Sequence, residues 1–311
     1  MGKQTFGIIL ICSLLLSCLT PTIKRNLARE YYNIGNTYFS LNKYAQAVES
    51  YQKALTYDPD LSEGSFNLAR VYFALGRYDE GLDILRRLQT ERGENIVLLQ
   101  TIAYGLAKAG KKEEAIQYYV RVLSLSEGNA QSLYNLGILY YEMEQYDHAY
   151  VYLSRLYEID QQDLDTLKVL GKIEVRREKF SDALQFFFPY LAKKPEDMEV
   201  GLLVYGILSD QKRYGEALKI LETLLEKKKE EPRLWFEKAF VLLTKAEEKK
   251  TGLDALTKAL TLGFKDPQKL RTLLVEAPPS YLEDITTLFT RTGAYSKDEL
   301  ESFLRTFYEQ N

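Results

Sequence analysis

Residues 28–61 read AREYYNIGNTYFSLNKYAQAVESYQKALTYDPDL, and the pattern of small and large residues in this stretch recurs every 34 residues. The first small position of the pattern is occupied in five successive stretches by Gly35, Ala69, Ala103, Gly137 and Gly171. A fixed period of about 20 to 50 residues is typical of solenoids, because a single short unit cannot bury its apolar face and must stack on its neighbours. The period therefore predicts a scaffold of stacked helical units.

A second small position lies near the middle of each period, with large apolar residues before and after it. This second position is occupied by Ala47, Gly81, Ala115, Ala149, Ala183 and Ala217. Small side chains let two helix backbones approach closely, so we expect two amphipathic helices in each period, packed against each other. Proline between periods, as in Asp58-Pro59 and Lys194-Pro195, indicates where helices end.

This pattern resembles the tetratricopeptide repeat, in which a small residue is flanked by Leu and Tyr, a later Ala follows, and Pro lies near the end. Residues 28–61 match it at Tyr31, Gly35, Ala47 and Pro59. The resemblance implies an all-α fold, a right-handed superhelical solenoid of about seven helix pairs with a C-terminal helical cap. We expect the repeats at 28–61, 62–95, 96–129, 130–163, 164–197, 198–231 and 232–265, which together form a solenoid over 28–265.

The seventh repeat and the tail that follows it depart from the pattern. Gly252 and Ala259 fit the seventh repeat only if one residue is inserted among residues 245–250. We expect residues 266–311 to form a capping element, because a terminal unit must cover the exposed end of the core. A second small binding surface is the alternative.

Three local patterns in the tail indicate helix starts. Asp266-Pro267 has Pro at a first helical position, and Ser280 with Glu283, and Ser296 with Glu299, have the spacing of capping boxes.

The N-terminus has the layout of an export signal. Lys3 precedes the apolar run Phe6–Leu16, which is shorter than the roughly 20 residues that a membrane-spanning helix needs. The run leads to Leu-Leu-Ser-Cys at residues 15–18, which resembles the bacterial lipoprotein box, where the Cys is lipidated and becomes the first mature residue. We therefore expect a lipoprotein signal peptide over 1–17 and a lipidated tether over 18–27, with the lipid (a palmitate-type acyl chain) on Cys18. An uncleaved membrane anchor is the alternative.

Such a lipoprotein would lie at the bacterial cell envelope, anchored by its lipid. Leu19, after the cysteine, differs from the Asp that retains lipoproteins in the inner membrane of some bacteria, and nothing in the residues favours export across the outer membrane. We therefore expect the periplasmic face of the outer membrane rather than the cell surface.

Composition argues against several other classes of function. A formal net charge of −3 is unlike the basic excess of nucleic-acid-binding proteins. The chain has one histidine, His148, and two cysteines, no Gly-rich phosphate loop and no Ser nucleophile motif, so we expect no catalytic residue, no metal site and no cofactor. The chain is therefore predicted not to be an enzyme and to have no small-molecule substrate.

The resemblance places the binding surface on the first helix of each repeat, which lines a concave groove. The residues carried over to this groove are Tyr32, Asn33, Asn36, Phe39, Phe66, Asn67, Arg70, Phe73, Gln100, Thr101, Tyr104, Tyr134, Asn135, Tyr141, Lys168, Lys172 and Arg176. Asn side chains both donate to and accept from a peptide backbone, and the aromatic neighbours add apolar area. The alternative is that these positions are polar only because they face water.

Two finer expectations concern charge in the groove. Lys168, Lys172 and Arg176 are spaced i, i+4, i+8 and predict a basic stripe on which an acidic partner segment could dock. Some repeat grooves form a clamp for a terminal carboxylate, and Asn36 and Asn67 match two of its positions. Such a clamp is not expected here, because Tyr32, Val97 and Thr101 stand where basic residues are wanted.

We therefore expect a membrane-anchored scaffold or adaptor for protein–protein interaction, which binds a segment of a partner protein in the concave groove. A surface-exposed adhesin lipoprotein that binds host cell components is the alternative. The sequence does not identify the partner.

Overall fold

The computed structural model describes residues 20–296 and 298–300, and every regular element in this part of the chain is helical. The helices follow one another as antiparallel pairs, so the predicted all-α fold of about seven helix pairs is confirmed. The chain divides into two compact units, residues 1–159 and 160–311. The predicted signal peptide over 1–17 and the lipidation site Cys18 lie outside the described residues.

The described part of the first unit holds four helix pairs. Their helices are α1 (Pro21–Ser40), α2 (Tyr44–Tyr57), α3 (Ser62–Ala74), α4 (Tyr78–Arg92), α5 (Ile96–Lys108), α6 (Lys112–Leu125), α7 (Ala130–Glu142) and α8 (Tyr146–Ile159).

The described part of the second unit holds three further pairs and the tail. The helices are α9 (Leu164–Arg176), α10 (Phe180–Lys193), α11 (Met198–Asp210), α12 (Tyr214–Lys227), α13 (Pro232–Thr244), α14 (Lys249–Thr261), α15 (Pro267–Glu276) and α16 (Leu282–Thr292), with a 3-10 helix at Pro279–Tyr281 between the last two.

The first helix of the described residues is longer than its counterparts. Helix α1 has 20 residues, whereas α3 and α5 have 13 each. Pro21 stands at its first position, where the fixed φ of proline suits a helix, and the Thr20 side chain accepts a hydrogen bond from the Ile23 N–H at 3.4 Å. The expected tether over 18–27 is therefore not an open linker, since from Pro21 onward it is the first part of α1.

A glycine against a large side chain brings the two helices of a pair together. This contact occurs in three repeats, in the pairs Gly35 with Tyr51, Gly137 with Leu153, and Gly171 with Phe187. If a Cβ were added to the glycine, the nearest atom of the facing side chain would lie only 2.3 to 2.6 Å from it. Real Cβ contacts are longer, so these helix pairs lie at a separation that only glycine permits. The large partners are fully buried, which makes this contact the centre of each repeat.

The turn between the two helices of a pair also repeats. It has three residues in the first six pairs, and the second of them is left-handed, with φ between 57° and 79°, at Asn42, Gly76, Gly110, Glu144, Glu178 and Lys212. In the fifth pair the Lys179 N–H donates to the Glu174 carbonyl at 2.8 Å and the Glu178 N–H donates to the Val175 carbonyl at 3.1 Å. This is the Schellman arrangement, which satisfies the last carbonyls of the first helix.

The turn of the seventh pair has four residues, 245–248, instead of three. Its left-handed residue is Glu247, and the Glu248 N–H donates to the Leu242 carbonyl at 2.9 Å, a different hydrogen bond from that of the other turns. The inserted residue expected among residues 245–250 lies in this turn.

The tail packs on the seventh pair, as predicted for a C-terminal helical cap. The rings of Phe236 on α13 and Phe264 after α14 are stacked with their centres 4.2 Å apart. Leu273 on α15 and Phe289 on α16 are fully buried in the same core. Helices α15 and α16 thus cover apolar surface that the seventh pair alone would leave exposed.

Two of the three predicted helix starts in the tail are confirmed. Asp266 accepts hydrogen bonds from the N–H groups of residues 268 and 269, and the capping box forms between Ser296 and Glu299. The predicted box between Ser280 and Glu283 is wrong. Residues 279–281 form a 3-10 helix there, and α16 begins at Leu282 without a side-chain cap.

The left-handed turn residues give a test of the repeat geometry. Glu178→Gly should raise the free energy of opening of repeat five by about 0.5–1 kcal/mol, because a left-handed residue with a Cβ is strained. Gly76→Ala should lower the free energy of opening of repeat two by about 1 kcal/mol for the same reason. Native-state hydrogen exchange of the amides in each repeat would measure both changes.

Glu178→Ala is the matched control, because it removes the carboxylate but keeps the Cβ. Equal protection in the Gly and Ala variants of residue 178 would show that the turn is not left-handed at this position.

Candidate functional site

A cleft of about 520 Å³ lies on the first helices of repeats one to four. Its walls come from α1, α3, α5 and α7, and they are Phe39, Phe66, Arg70, Phe73, Ala74, Val97, Gln100, Thr101, Tyr104 and Gln131. A second cleft of about 340 Å³ adjoins it and shares Phe66 and Val97 with it. The second cleft also contains Tyr32 and Asn67. The two clefts thus bring together nine of the groove residues taken from the sequence, namely Tyr32, Phe39, Phe66, Asn67, Arg70, Phe73, Gln100, Thr101 and Tyr104.

The walls of the larger cleft leave apolar surface in contact with water. Val97 is 58% exposed and Tyr104 is 46% exposed. The Tyr104 ring lies beside the buried Phe73 ring, with 6.5 Å between their centres, so it is held at the edge of the core. Large apolar side chains grouped in a cleft are typical of a surface that a partner covers.

Sequence reasoning missed one set of cleft residues. Glu63, Val97 and Gln131 line the two clefts, and each is the second residue of the first helix of its repeat. They share one phase of the 34-residue period, which sequence reasoning considered only at Val97, as a position of the carboxylate clamp, and did not assign to the groove. The period itself contained the information needed to find them.

Two of the predicted groove asparagines make hydrogen bonds inside the protein. The Tyr51 hydroxyl donates to Asn36 Oδ1 at 2.6 Å, and the Asn67 amide donates to the same Oδ1 at 2.9 Å and to the Tyr32 hydroxyl at 3.2 Å. Burial raises the pKa of Tyr51 to about 12, so its hydroxyl keeps the proton that it donates. Asn36 and Asn67 therefore join α1 to α3, which is a structural role that the sequence pattern did not distinguish from binding.

Polar residues of the third and fourth repeats also make hydrogen bonds within the protein. The Gln100 amide donates to Asn129 Oδ1 at 2.8 Å, and the Asn135 amide donates to the Tyr119 hydroxyl at 3.0 Å. Asn33 is exposed to solvent. Neither of the two clefts includes Asn33, Tyr134, Asn135 or Tyr141.

The predicted basic stripe on α9 is neutralised by acidic residues at the start of α11. Lys168 Nζ lies 2.8 Å from Asp197 Oδ2 and 3.0 Å from a Glu199 carboxylate oxygen, and Lys172 Nζ lies 2.5 Å from the other Glu199 oxygen. These contacts are within the range of ion pairs. The stripe is therefore not the free basic surface that the spacing of Lys168, Lys172 and Arg176 predicted.

Asp197 also holds the local structure of this region. Its carboxylate accepts a hydrogen bond from the Tyr190 hydroxyl at 2.6 Å and from the Val200 N–H at 3.1 Å, where it caps α11. Burial alone would raise the pKa of Asp197, but the hydrogen bonds from Lys168 and Tyr190 outweigh it and lower the pKa to about 2. The contribution of this carboxylate to stability is therefore present above the pKa of an unfolded Asp and is lost as the pH falls toward 2.

The described residues form neither a metal site nor a membrane-spanning helix. His148 is exposed and stacks on Tyr140, with 5.0 Å between the ring centres. Within residues 20–296 and 298–300 no cluster of three or more His, Cys, Asp or Glu side chains is arranged to hold a metal ion. In the same residues no helix combines the length and the apolar character needed to cross a membrane.

Comparisons with known proteins agree with the helical repeats. Three models of repeat families match the chain: one described as "TPR repeat" at residues 35–76, and two described as "Tetratricopeptide repeat" at residues 63–92 and 106–173. These descriptions name a repeat and no enzymatic activity. No curated protein matches the sequence.

Solved structures share the fold at low sequence identity. The C-terminal part of a TPR repeat-containing protein from Cytophaga hutchinsonii is 16% identical with a TM-score of 0.66, and the match covers 77% of this chain and 98% of that one. A tetratricopeptide repeat protein from Parabacteroides merdae is 17% identical with a TM-score of 0.55, over 80% of this chain and 98% of that one. Pseudomonas aeruginosa pilF is 16% identical with a TM-score of 0.54, over 65% of this chain and 92% of that one.

Three family models thus match stretches in which the small-to-large contacts and left-handed turns recur, and the chain contains tetratricopeptide repeats at residues 35–92 and 106–173.

Proposed function

We propose that this chain is a membrane-anchored scaffold that binds a segment of a partner protein in the cleft on repeats one to four. The observation that carries the proposal is the exposure of Val97 and Tyr104 in a cleft that is also lined by three phenylalanines. An apolar residue in the partner would bury this surface, and fully burying a side chain of this size contributes about 1.5–3 kcal/mol.

The cleft is preformed, which favours binding. Its walls are side chains on four helices whose mutual positions are set by the packing of the repeats, and one of them, Phe73, is only 7% exposed. Aromatic side chains in such a setting have few rotamers to lose when a partner binds. The hydrogen bond from the Asn67 amide to Asn36 joins α1 to α3. We infer that the partner segment docks without a large rearrangement of the repeats.

The membrane anchor is proposed from the sequence at residues 15–18 together with the start of α1. A lipid on Cys18 would be only three residues from Pro21, where α1 begins, so the first repeat would be held near the bilayer surface. Lys24 and Arg25 lie on the first part of α1, and basic residues near an anionic leaflet contribute about 1 kcal/mol each. This would place the scaffold at the bacterial cell envelope, with the periplasmic face of the outer membrane as the proposed side.

The cleft is tested by removing its exposed apolar side chains. The double variant Val97→Ser with Tyr104→Ala should weaken binding of the partner by about tenfold to a hundredfold, because central aromatic contacts carry most of the energy of an interface. The partner would be captured from detergent-solubilised membranes with the wild-type protein and then titrated against each variant.

Val151→Ser is the matched control, since Val151 is similarly exposed but lies on α8, away from the cleft. All variants should retain the helical circular dichroism spectrum, because exposed substitutions change stability by about half a kcal/mol or less. Equal affinity of the double variant and the control would mean that the partner binds elsewhere.

The anchor is tested by Cys18→Ser. Without the thiol no lipid is attached, and the protein should move from the detergent phase to the aqueous phase in detergent phase partitioning. A variant that stays in the detergent phase with its N-terminal segment still attached would show a membrane-spanning anchor in place of the lipid.

A further inference from the structure

We propose that the segment bound in the cleft is acidic, with side-chain carboxylates next to aromatic or aliphatic residues. This inference rests on the proposed function, because it specifies the chemistry of the segment that occupies the same cleft.

Two cations carry the inference: Arg70, which lines the larger cleft, and Lys108, which contacts the ring of the cleft residue Tyr104. The Arg70 guanidinium lies over the Phe39 ring, 5.3 Å from its centre, and the Lys108 ammonium lies over the Tyr104 ring, 5.7 Å from its centre. Both side chains are on exposed residues. Neither forms an ion pair with a carboxylate in the part of the chain that the structure describes. Each contacts an aromatic ring of the cleft, and the Arg70 guanidinium also donates a hydrogen bond to the neutral Asn67 Oδ1 at 3.4 Å.

Lysines on α9 and on the tail helix α15 show the opposite arrangement. Lys168 and Lys172 on α9 are paired with Asp197 and Glu199, and Lys269 on α15 is paired with the buried Glu237. None of the residues that line the larger cleft is acidic. Glu63 lines the adjoining smaller cleft, together with Arg92. In a chain with a net charge of −3, the larger cleft therefore has a positive charge, at Arg70, that forms no ion pair among the described residues.

The chemistry of the two cations determines which partner fits. A guanidinium presents a planar fork of donors that matches a carboxylate, and an ammonium adds a second point charge. A basic segment would be repelled, and a neutral apolar segment would gain nothing from either cation. Because Arg70 and Lys108 lie on different helices and over different rings, they suit two separate side-chain carboxylates better than one carboxyl terminus.

Selection from a library of random peptides tests the inference. The peptides are displayed as internal segments, so that no free carboxyl terminus is present, and the bait is the full chain in detergent. Wild type should enrich peptides in which Asp or Glu adjoins Phe, Tyr or Leu. The double variant Arg70→Gln with Lys108→Gln should still enrich apolar peptides but without the acidic residues.

Arg87→Gln is the matched control, because Arg87 is an exposed cation on α4 that neither lines a cleft, as Arg70 does, nor contacts the ring of a cleft residue, as Lys108 does. For one enriched peptide, the Arg70 and Lys108 double variant should weaken binding by about threefold to tenfold, as expected for two exposed ion pairs, and Arg87→Gln should not. Replacing Asp by Asn in that peptide should weaken its binding to wild type by a similar factor and have little further effect on the double variant.

The outcomes separate this inference from the proposed function. If wild type enriches apolar peptides without acidic residues, the cleft binds peptides but the acidic partner is wrong. If wild type enriches nothing, or if the Val97 and Tyr104 double variant enriches the same peptides as wild type, the proposed cleft itself is wrong.

Discussion

The close approach of the two helices in each repeat is the contact on which the rest of the structure depends. At Gly137 and Gly171 an added Cβ would lie 2.3 Å from the side chain that faces it, so the helix separation is set by the absence of a side chain. Because small residues recur at a fixed 34-residue spacing, successive pairs have the same internal geometry. The first helices of successive pairs therefore present the same phases of the repeat to a common surface.

The cleft follows from that common surface. Polar residues on neighbouring first helices hydrogen bond to each other, as Asn67 does to Asn36, and they hold the walls in place. Aromatic residues beside them, such as Phe66 and Tyr104, remain accessible. Later in the chain the corresponding surface contains Lys168 paired with Asp197, so its charge is compensated internally. This difference in charge, rather than a difference in fold, distinguishes the cleft from the later repeats.

The sequence predicted much of the fold because the fold is periodic. The helix pairs, the buried Ala149 and the cap of α15 at Asp266 follow from residue types at set spacings. The partners of the polar side chains could not be predicted in this way. Asn36 and Lys168 each contact a residue about 30 positions further along the chain. Whether such a side chain bonds to its neighbour or to a ligand depends on side-chain geometry that the period does not specify. Similarly, Glu178 gives no sequence indication of its left-handed turn, where glycine would have done so.

The most direct test of the central contact is a double-mutant cycle between Gly137 and Leu153, read by hydrogen exchange in repeat four. Gly137→Ala alone should lower the free energy of opening by about 1–3 kcal/mol through overpacking, and Leu153→Ala alone by about 2–5 kcal/mol. Gly206→Ala, which meets no atom within 4 Å of the new Cβ, should be neutral or stabilising. If the helices touch at this contact, the double variant should be less destabilised than the sum of the single variants by about 1 kcal/mol or more. Effects that add within about 0.5 kcal/mol would contradict the close approach on which this account of the repeat depends.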